Sequence, residues 1–180
     1  MTRYVALLRG INVGKTKRMA MADLREMLGR LGYENPRTLL QSGNAVFDAG
    51  GSAAEVQSAV EKAIAKQFGF EVDVVIRTAK QIDAVLKHDP LGHAADDDSK
   101  NMVCFLSSKP EAKAAKELQS RDFAPELFAI KGTEVYAWCP KNVHESALLK
   151  AVGKAKLADH MTARNWRTVR KIAELAAADD

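Results

Sequence analysis

The chain has little of what marks several common classes of protein. Its 180 residues include two cysteines and 6% aromatic residues, and no apolar run approaches the twenty or so residues needed to span a bilayer. Cys104 and Cys139 each lie in an apolar run, without CxxC or zinc-like Cys/His spacing, which favours two buried, reduced thiols. The opening MTRYVALLRG lacks the layout of a signal peptide. These absences predict a cytoplasmic protein with no membrane partner.

The charge of the chain is mildly basic. Its net charge is +4, from 27 Lys and Arg against 23 Asp and Glu, and this balance favours anionic partners without selecting one. Acidic residues are concentrated at 96–98 and at Asp179 and Asp180. The cations are concentrated in one early and one late segment: Lys15, Lys17 and Arg18, then Arg164, Arg167, Arg170 and Lys171.

The first half of the chain alternates between strand-like and helix-like patterns. RYVALLR is typical of a central strand. Apolar residues recur at helical spacing from Met21 to Leu31 and from Val56 to Phe68, which predicts two helices, each followed by a glycine. Two strand-like runs around Ser42 and Gly43 predict a hairpin, and VDVVIRT predicts a last strand. The resulting order, β-α-β-β-α-β, is that of the ferredoxin-like fold.

The second half repeats this order with a weaker pattern. A short helix is predicted over 79–88, then a strand, a helix, a hairpin with Gly132 near its tip, and a helix over HESALLKAV. RNWRTVRKIAELA is predicted to close the chain as a helix. The inward face of that helix is predicted to be Trp166, Val169, Ile172 and Leu175.

These patterns predict an α+β fold. It consists either of two ferredoxin-like (βαββαβ) units or of one pseudo-duplicated α+β domain. Residues 1–78 form the first ferredoxin-like half, 79–100 a linking helix and loop, and 101–180 the second half.

The segment GINVGKT follows the first strand and looks like a phosphate-binding loop. A Walker A loop needs four residues between its first glycine and Gly-Lys-Ser/Thr, whereas Gly10 and Gly14 enclose three. The predicted helix also begins several residues after Lys15 and Thr16, while in a Walker A loop the Lys-Thr opens the helix. The spacing, the context and the fold therefore argue against a nucleotide-hydrolysing loop.

A weaker interpretation of the same segment, residues 9–18, survives; we call it the glycine loop. Backbone N–H groups around Gly10, Asn12 and Gly14, with cations from Arg9 to Arg18, suit an anion such as phosphate. The alternative is a solvated turn in which the glycines only permit positive φ.

The segment Gln41–Asn44, the QSGN turn, joins the two strands of the first hairpin. Its simplest interpretation is a turn in which Gly43 takes positive φ and Ser42 or Asn44 bonds to the local backbone. The functional alternative has the amides of Gln41 and Asn44 facing a ligand. Because a right-handed crossover makes the first two strands parallel, the glycine loop and the QSGN turn should share one rim of the sheet.

Two further segments carry candidate functional side chains. TARNW places Asn165 as an N-cap of the last helix, while Arg164 is predicted to pair with a carboxylate or to hold an anion. HDPLGHAADDD contains side chains that divalent ions accept: His88, Asp89, His93 and Asp96. The spacing of its histidines is off the helical pairing, so a solvated polar loop is favoured and no metal site is predicted.

Three motifs in order, LLRGINVG, LQSGNAVF and TARNWRTV, resemble the bacterial domain-of-unknown-function family 1697. The resemblance runs from Tyr4 to about Leu175. It implies an α+β fold with ferredoxin-like halves, and it implies no reaction. Family members usually carry Gly-Gly-Lys-Asn after the valine, so Lys15 and Thr16 depart from the usual pattern. The matching positions are Arg9, Gly10, Asn12, Gly14, Gln41, Ser42, Gly43, Asn44, Arg77, Arg164, Asn165 and Trp166.

We therefore expect a protein that binds a phosphorylated small molecule or a nucleotide through the glycine loop. The alternatives are a nucleic-acid-binding module that uses the same loop and the Arg-rich last helix, and an enzyme acting on a phosphate ester. No general base, cofactor or oligomeric state can be identified. The predicted ligand-binding residues are Arg9, Gly10, Asn12, Gly14, Lys15, Lys17, Gln41, Asn44 and Arg164.

Overall fold

A computed structural model describes residues 1–178; Asp179 and Asp180, part of the terminal acidic group, lie outside the described residues. The chain divides into two compact units. Unit 1 is Met1–Ala84 together with the chain from Lys171 onward, and unit 2 is Val85–Arg170.

Unit 1 has the βαββαβ order that the sequence pattern predicts. Its sheet has the order β2-β3-β1-β4 and every neighbouring pair is antiparallel, so β1 and β2 run parallel to each other. This is the ferredoxin-like arrangement. Its elements are β1 (Thr2–Leu8), α1 (Met21–Arg30), β2 (Glu34–Leu39), β3 (Asn44–Ala49), α2 (Ala53–Phe68) and β4 (Val74–Thr78).

Unit 2 repeats the arrangement with the sheet order β6-β7-β5-β8. The connecting helix α3 (Ala79–His88) and a short 3-10 turn, Gly92–Ala94, precede its first strand. The last helix, α6 (Trp166–Ala177), follows its last strand directly. The elements of unit 2 are β5 (Asn101–Leu106), α4 (Ala112–Gln119), β6 (Leu127–Lys131), β7 (Glu134–Trp138), α5 (Ala147–Lys154) and β8 (Met161–Asn165).

Two predicted helix starts are wrong. The closing helix begins at Trp166 rather than Arg164, because Arg164 and Asn165 complete β8. The Oδ1 atom of Asn165 accepts a hydrogen bond from the N–H of Thr168 at 2.9 Å, so its N-cap role is confirmed. Strand β2 begins before Pro36, which this edge strand tolerates through an irregular register. Helix α5 begins at Ala147, three residues later than the start of HESALLKAV.

The core of unit 1 lies between the sheet and helices α1 and α2. Both faces of β1 are buried, since Val5 and Leu7 on one face and Ala6 and Leu8 on the other are 0% exposed, as expected for a central strand. Helix α2 begins with a capping box between Ser52 and Glu55 and ends at a left-handed glycine. The helix residues of this core include Leu24, Leu28, Val56, Val60 and Ile64.

The core of unit 2 contains both cysteines. Cys104 and Cys139 are buried free thiols, as the sequence predicted, and burial raises the pKa of Cys104 to about 12. On the opposite face of β7, Tyr136 and Trp138 are also buried.

Matching registers show that the two units are pseudo-duplicates. Arg77 in β4 lies opposite Val5 of β1, and Arg164 in β8 lies opposite Val103 of β5. Both arginines are buried, and each donates from Nη1 to the carbonyl of the residue before it. A polar residue follows each arginine and caps the next helix: Thr78 before α3 and Asn165 before α6.

Candidate functional site

The glycine loop is a shaped turn rather than an extended connection. Gly10, Asn12, Gly14 and Lys17 all have φ between 47° and 65°, in the left-handed region that favours glycine and asparagine. The N–H of Asn12 donates to the carbonyl of Lys17 at 3.0 Å, which closes the loop on itself. The backbone of this segment is therefore held in a defined curve.

The side chain of Asn12 fastens this curve to the rest of unit 1. Its Oδ1 accepts from the N–H of Met19 at 2.9 Å, and its Nδ2 donates to the carbonyls of Met19 and Gln41 at 2.8 and 2.9 Å. Ile11 and Met19 anchor the two ends of the loop in the core, at 2% and 3% exposure. The Asn12 amide thus shapes the site, and both of its Nδ2 hydrogens and its Oδ1 atom already have partners.

The QSGN turn lies against the glycine loop. The bond from Asn12 to Gln41 joins them, so the prediction that they share a rim of the sheet is confirmed. The buried Asn44 donates from Nδ2 to the carbonyl of Leu39 at 2.7 Å and to Ser42 Oγ at 3.2 Å. Its amide therefore holds the turn, while the side chain of Gln41 is exposed.

The cations of the glycine loop differ in how far they are engaged. Arg9 lies 3.6 Å from the carboxylate of Asp73 but remains 54% exposed. Lys17 donates from Nζ to the carbonyl of Glu71 at 2.7 Å. Lys15 and Arg18 are exposed, and neither has an ion pair or hydrogen bond with another residue in the described part of the chain.

The tip of the glycine loop presents backbone donors beside these cations. The N–H groups of Val13, Gly14 and Lys15 donate no hydrogen bond to any atom of residues 1–178, and all three residues are exposed. Adjacent free N–H groups with nearby cations are the chemistry that binds phosphate oxygens. Asp73 and Glu71, which orient two of the cations, were not predicted, because only the folded chain brings them near the loop.

Arg164 belongs to unit 2, so it is not among the residues that the fold of unit 1 brings together. Its Nη1 donates to Thr162 Oγ1 and to the carbonyl of Ala163, both at 2.8 Å. Burial lowers its pKa to about 10. This arginine lies within the strand, one residue before the cap of α6.

The acidic and histidine-rich segment between α3 and β5 is largely exposed. His88, Asp89, His93 and Asp96 are all at the surface. Among the described side chains, no group of three His, Cys, Asp or Glu residues is arranged to hold a metal ion. Within residues 1–178, none of the helices combines the length and apolar character needed to cross a bilayer.

Two four-stranded antiparallel sheets with ferredoxin-like order define the class of this protein, a pseudo-duplicated α+β protein. The family described as "Protein of unknown function (DUF1697)" matches residues 1–136, and the chain belongs to that family. The matched region contains the glycine loop and the QSGN turn. It ends before the RNW motif.

Among solved structures, the chain is similar to the conserved bacterial protein SP0830 from Streptococcus pneumoniae. The two share 25% sequence identity with a TM-score of 0.80, over 97% of this chain and 98% of the other. No curated protein matches the chain.

Proposed function

We propose that the protein binds a phosphorylated small molecule or a nucleotide through the glycine loop of unit 1. A difference between the two units carries the proposal. Strand β1 ends at Leu8 and α1 begins at Met21, which leaves twelve residues, whereas β5 ends at Leu106 and α4 begins at Ala112, which leaves five. Since unit 2 forms the same fold with five residues, the longer connection in unit 1 is not required by the fold.

The added length carries charge and donors. The glycine loop contains four cations, Arg9, Lys15, Lys17 and Arg18, while the connection in unit 2 contains one, Lys109. The anchored Asn12 holds the loop in shape before a ligand arrives, so little ordering has to accompany binding. A phosphate group matches both the free N–H groups and the cations of this loop.

As part of the same proposal, the protein works in the cytoplasm. The two cysteines are unpaired and buried, and free thiols are typical of reducing compartments.

The nucleic-acid alternative depends on exposed, unpaired arginines in and next to the last helix, and two of these arginines are not available. Arg170 is paired with Asp98 at 3.0 Å, and Arg164 is buried in β8. No residue of the glycine loop is placed as a general base, so the structure offers nothing specific for an enzyme acting on a phosphate ester. Both alternatives are outcomes of the tests below.

Isothermal titration calorimetry with pyrophosphate and adenosine monophosphate tests the proposal. The double variant Lys15→Ala/Arg18→Ala removes two exposed cations and leaves the Asn12 anchor intact. We expect its affinity to fall about tenfold or more, because a hydrogen bond to a charged group contributes about 1.5–3 kcal/mol. Lys62→Ala, an exposed lysine on α2, is the matched control and should bind as the wild type does.

The same variants separate the alternatives. Failure of both ligands to bind the wild type, or equal affinity for the wild type and the double variant, would contradict the proposal. Tighter binding of a short single-stranded oligonucleotide, with a steep dependence on salt, would favour the nucleic-acid module. Turnover of a phosphate ester that is lost in the double variant would favour the enzyme.

A further inference from the structure

Unit 2 contains a small cavity beside the start of β5 and the start of α6. Its volume is about 330 Å³, at the lower end of the range for small-molecule pockets. The segment between α3 and β5 forms one wall, and α6 forms another. The lining residues that matter for its chemistry are Asp89, Asp96, Asp98, Asn101, Trp166 and Arg170.

Asn101, one of the residues that line this cavity, has an unused hydrogen-bond acceptor. The residue is 3% exposed, and its Oδ1 has no hydrogen-bond partner among the described residues. A buried carbonyl oxygen without a partner costs free energy, so each such atom in a folded protein calls for an explanation. The terminal torsion of asparagine is broad, which lets this amide turn to meet a donor in the cavity.

Arg3 holds the corresponding position in unit 1, and it shows that the fold does not require an unpaired polar group there. Arg3 lies opposite Asp48 in β3, as Asn101 lies opposite Trp138 in β7. Arg3 is fully engaged, with two hydrogen bonds to the Asp48 carboxylate and two to carbonyls near the end of α6. The same register position is therefore satisfied internally in one unit and left open in the other.

The charge around the cavity is negative. Three aspartates line it against one arginine, so its net charge is −2 (1 − 3) with His93, which also lines it, counted as neutral. Arg170 is paired with Asp98 at 3.0 Å, which leaves the carboxylates of Asp89 and Asp96 uncompensated within the lining. Burial raises the pKa of the nearby Tyr136, and the negative charges of Glu134 and Asp89 raise it further.

We propose that this cavity binds a protonated primary amine. The ammonium group donates a hydrogen bond to Asn101 Oδ1 and lies in the negative potential of Asp89 and Asp96. Trp166 contributes an aromatic wall, and aromatic rings attract ammonium groups. A divalent metal fits less well, because no three acidic or histidine side chains of the described residues converge here. The site is independent of the glycine loop.

An NMR titration with n-butylammonium chloride tests the proposal. The side-chain amide resonances of Asn101 and the indole N–H resonance of Trp166 should shift and saturate. Tetramethylammonium carries the same charge but no N–H, so it should bind about tenfold more weakly if the hydrogen bond to Asn101 is made. Butylammonium without a saturable shift, or equal affinity for the two cations, overturns the proposal.

Variants assign the effect to the cavity. Asn101→Leu removes the acceptor and should weaken butylammonium binding about tenfold. Asp96→Asn changes an exposed residue and should weaken it severalfold, whether or not Asn101→Leu folds. Asp159→Asn, an exposed aspartate of unit 2 outside the cavity, is the control and should have no effect. Unchanged binding in Asp96→Asn, or saturable binding of Ca²⁺ in place of butylammonium, contradicts the proposal.

Discussion

In unit 1 the N–H of Leu8 donates to the carbonyl of Gly43, and in unit 2 the N–H of Leu106 donates to the carbonyl of Thr133, both at 2.9 Å. The next residue in each unit repeats the correspondence, since Arg9 bonds to Asp73 and Ser107 bonds to His160. After these two shared hydrogen bonds, the connection to the next helix has twelve residues in unit 1 and five in unit 2. The comparison separates what the fold needs from what has been added to it.

The other end of the first strand of each unit shows the opposite difference. There the side chain of Arg3 in unit 1 is hydrogen-bonded to Asp48, whereas in unit 2 the Oδ1 of Asn101 has no hydrogen-bond partner among the described residues. Each unit thus departs from the common frame at a different place. The two departures have opposite charge, with cations around the glycine loop and carboxylates around the cavity of unit 2.

The largest effect on stability is expected from a substitution of Gly43, whose carbonyl accepts the hydrogen bond from Leu8. An added Cβ at Gly43 would lie 2.7 Å from Ile11 Cδ1 and 2.8 Å from Leu8 Cβ, with φ at +86°. Gly43→Ala should lower the free energy of unfolding by about 3 kcal/mol or more, from backbone strain and overpacking together. Amide hydrogen exchange of the buried β1 residues measures this change.

The comparison substitution in unit 2 is Gly132→Ala, one residue before Thr133, which occupies the register position of Gly43. The φ of Gly132 is +62°, and the nearest atom to an added Cβ is Glu134 Oε2 at 3.7 Å, so only the strain of about 1–2 kcal/mol applies. Exchange of the β5 amides reports on this unit. Equal losses of unfolding free energy in the two variants would contradict the close packing of Ile11 and Leu8 against Gly43.

A smaller effect is expected from the ion pair that unit 2 lacks. Arg3 donates two hydrogen bonds to Asp48, and these bonds, chiefly, lower the pKa of the Asp48 carboxyl. Because the folded-state pKa lies below the unfolded value, the stabilisation is complete above the unfolded pKa and is lost as the pH falls through the folded one. Asp48→Asn should cost about 1 kcal/mol at neutral pH.

Urea unfolding of the wild type and of Asp48→Asn across a pH series checks this prediction. The difference in the free energy of unfolding should shrink toward zero in acid, where the wild-type carboxyl is protonated as well. A difference that persists unchanged in acid would mean that Asp48 acts through packing instead of charge. The ion pair of Arg3 with Asp48 would then not be the counterpart, in unit 1, of the ligand proposed to bind Asn101 in unit 2.

The order of elements could be read from the sequence because glycines and apolar spacing mark it locally. Gly32 and Gly69 follow helices at positive φ, as predicted, and the repeated βαββαβ order emerges from the same signals. The sequence pattern places Arg164 and Asn165 in the last helix, because no glycine or proline separates β8 from α6 in the RNW segment. A residue can end a strand and cap a helix at once, as Asn165 does.

The candidate site was predicted less completely, because its geometry rests on contacts between distant residues. The glycine loop and the QSGN turn could be placed on one rim by topology alone. The engagement of Asn12 with Gln41, and of Arg9 with Asp73, depends on partners 29 and 64 residues away in sequence (41 − 12 and 73 − 9). The open acceptor of Asn101 has no sequence signal, because only the folded chain buries its Oδ1 away from every hydrogen-bond donor of the described residues.

An NMR titration of the whole protein with pyrophosphate tests the central claim most directly. If the glycine loop is an added anion site, the backbone N–H resonances of Gly14 and Lys15 shift and saturate. Those of Ser107 and Lys109, in the short connection of unit 2, stay in place and serve as the internal control. Equal shifts in both connections, or no saturable shift in the glycine loop, would contradict the account.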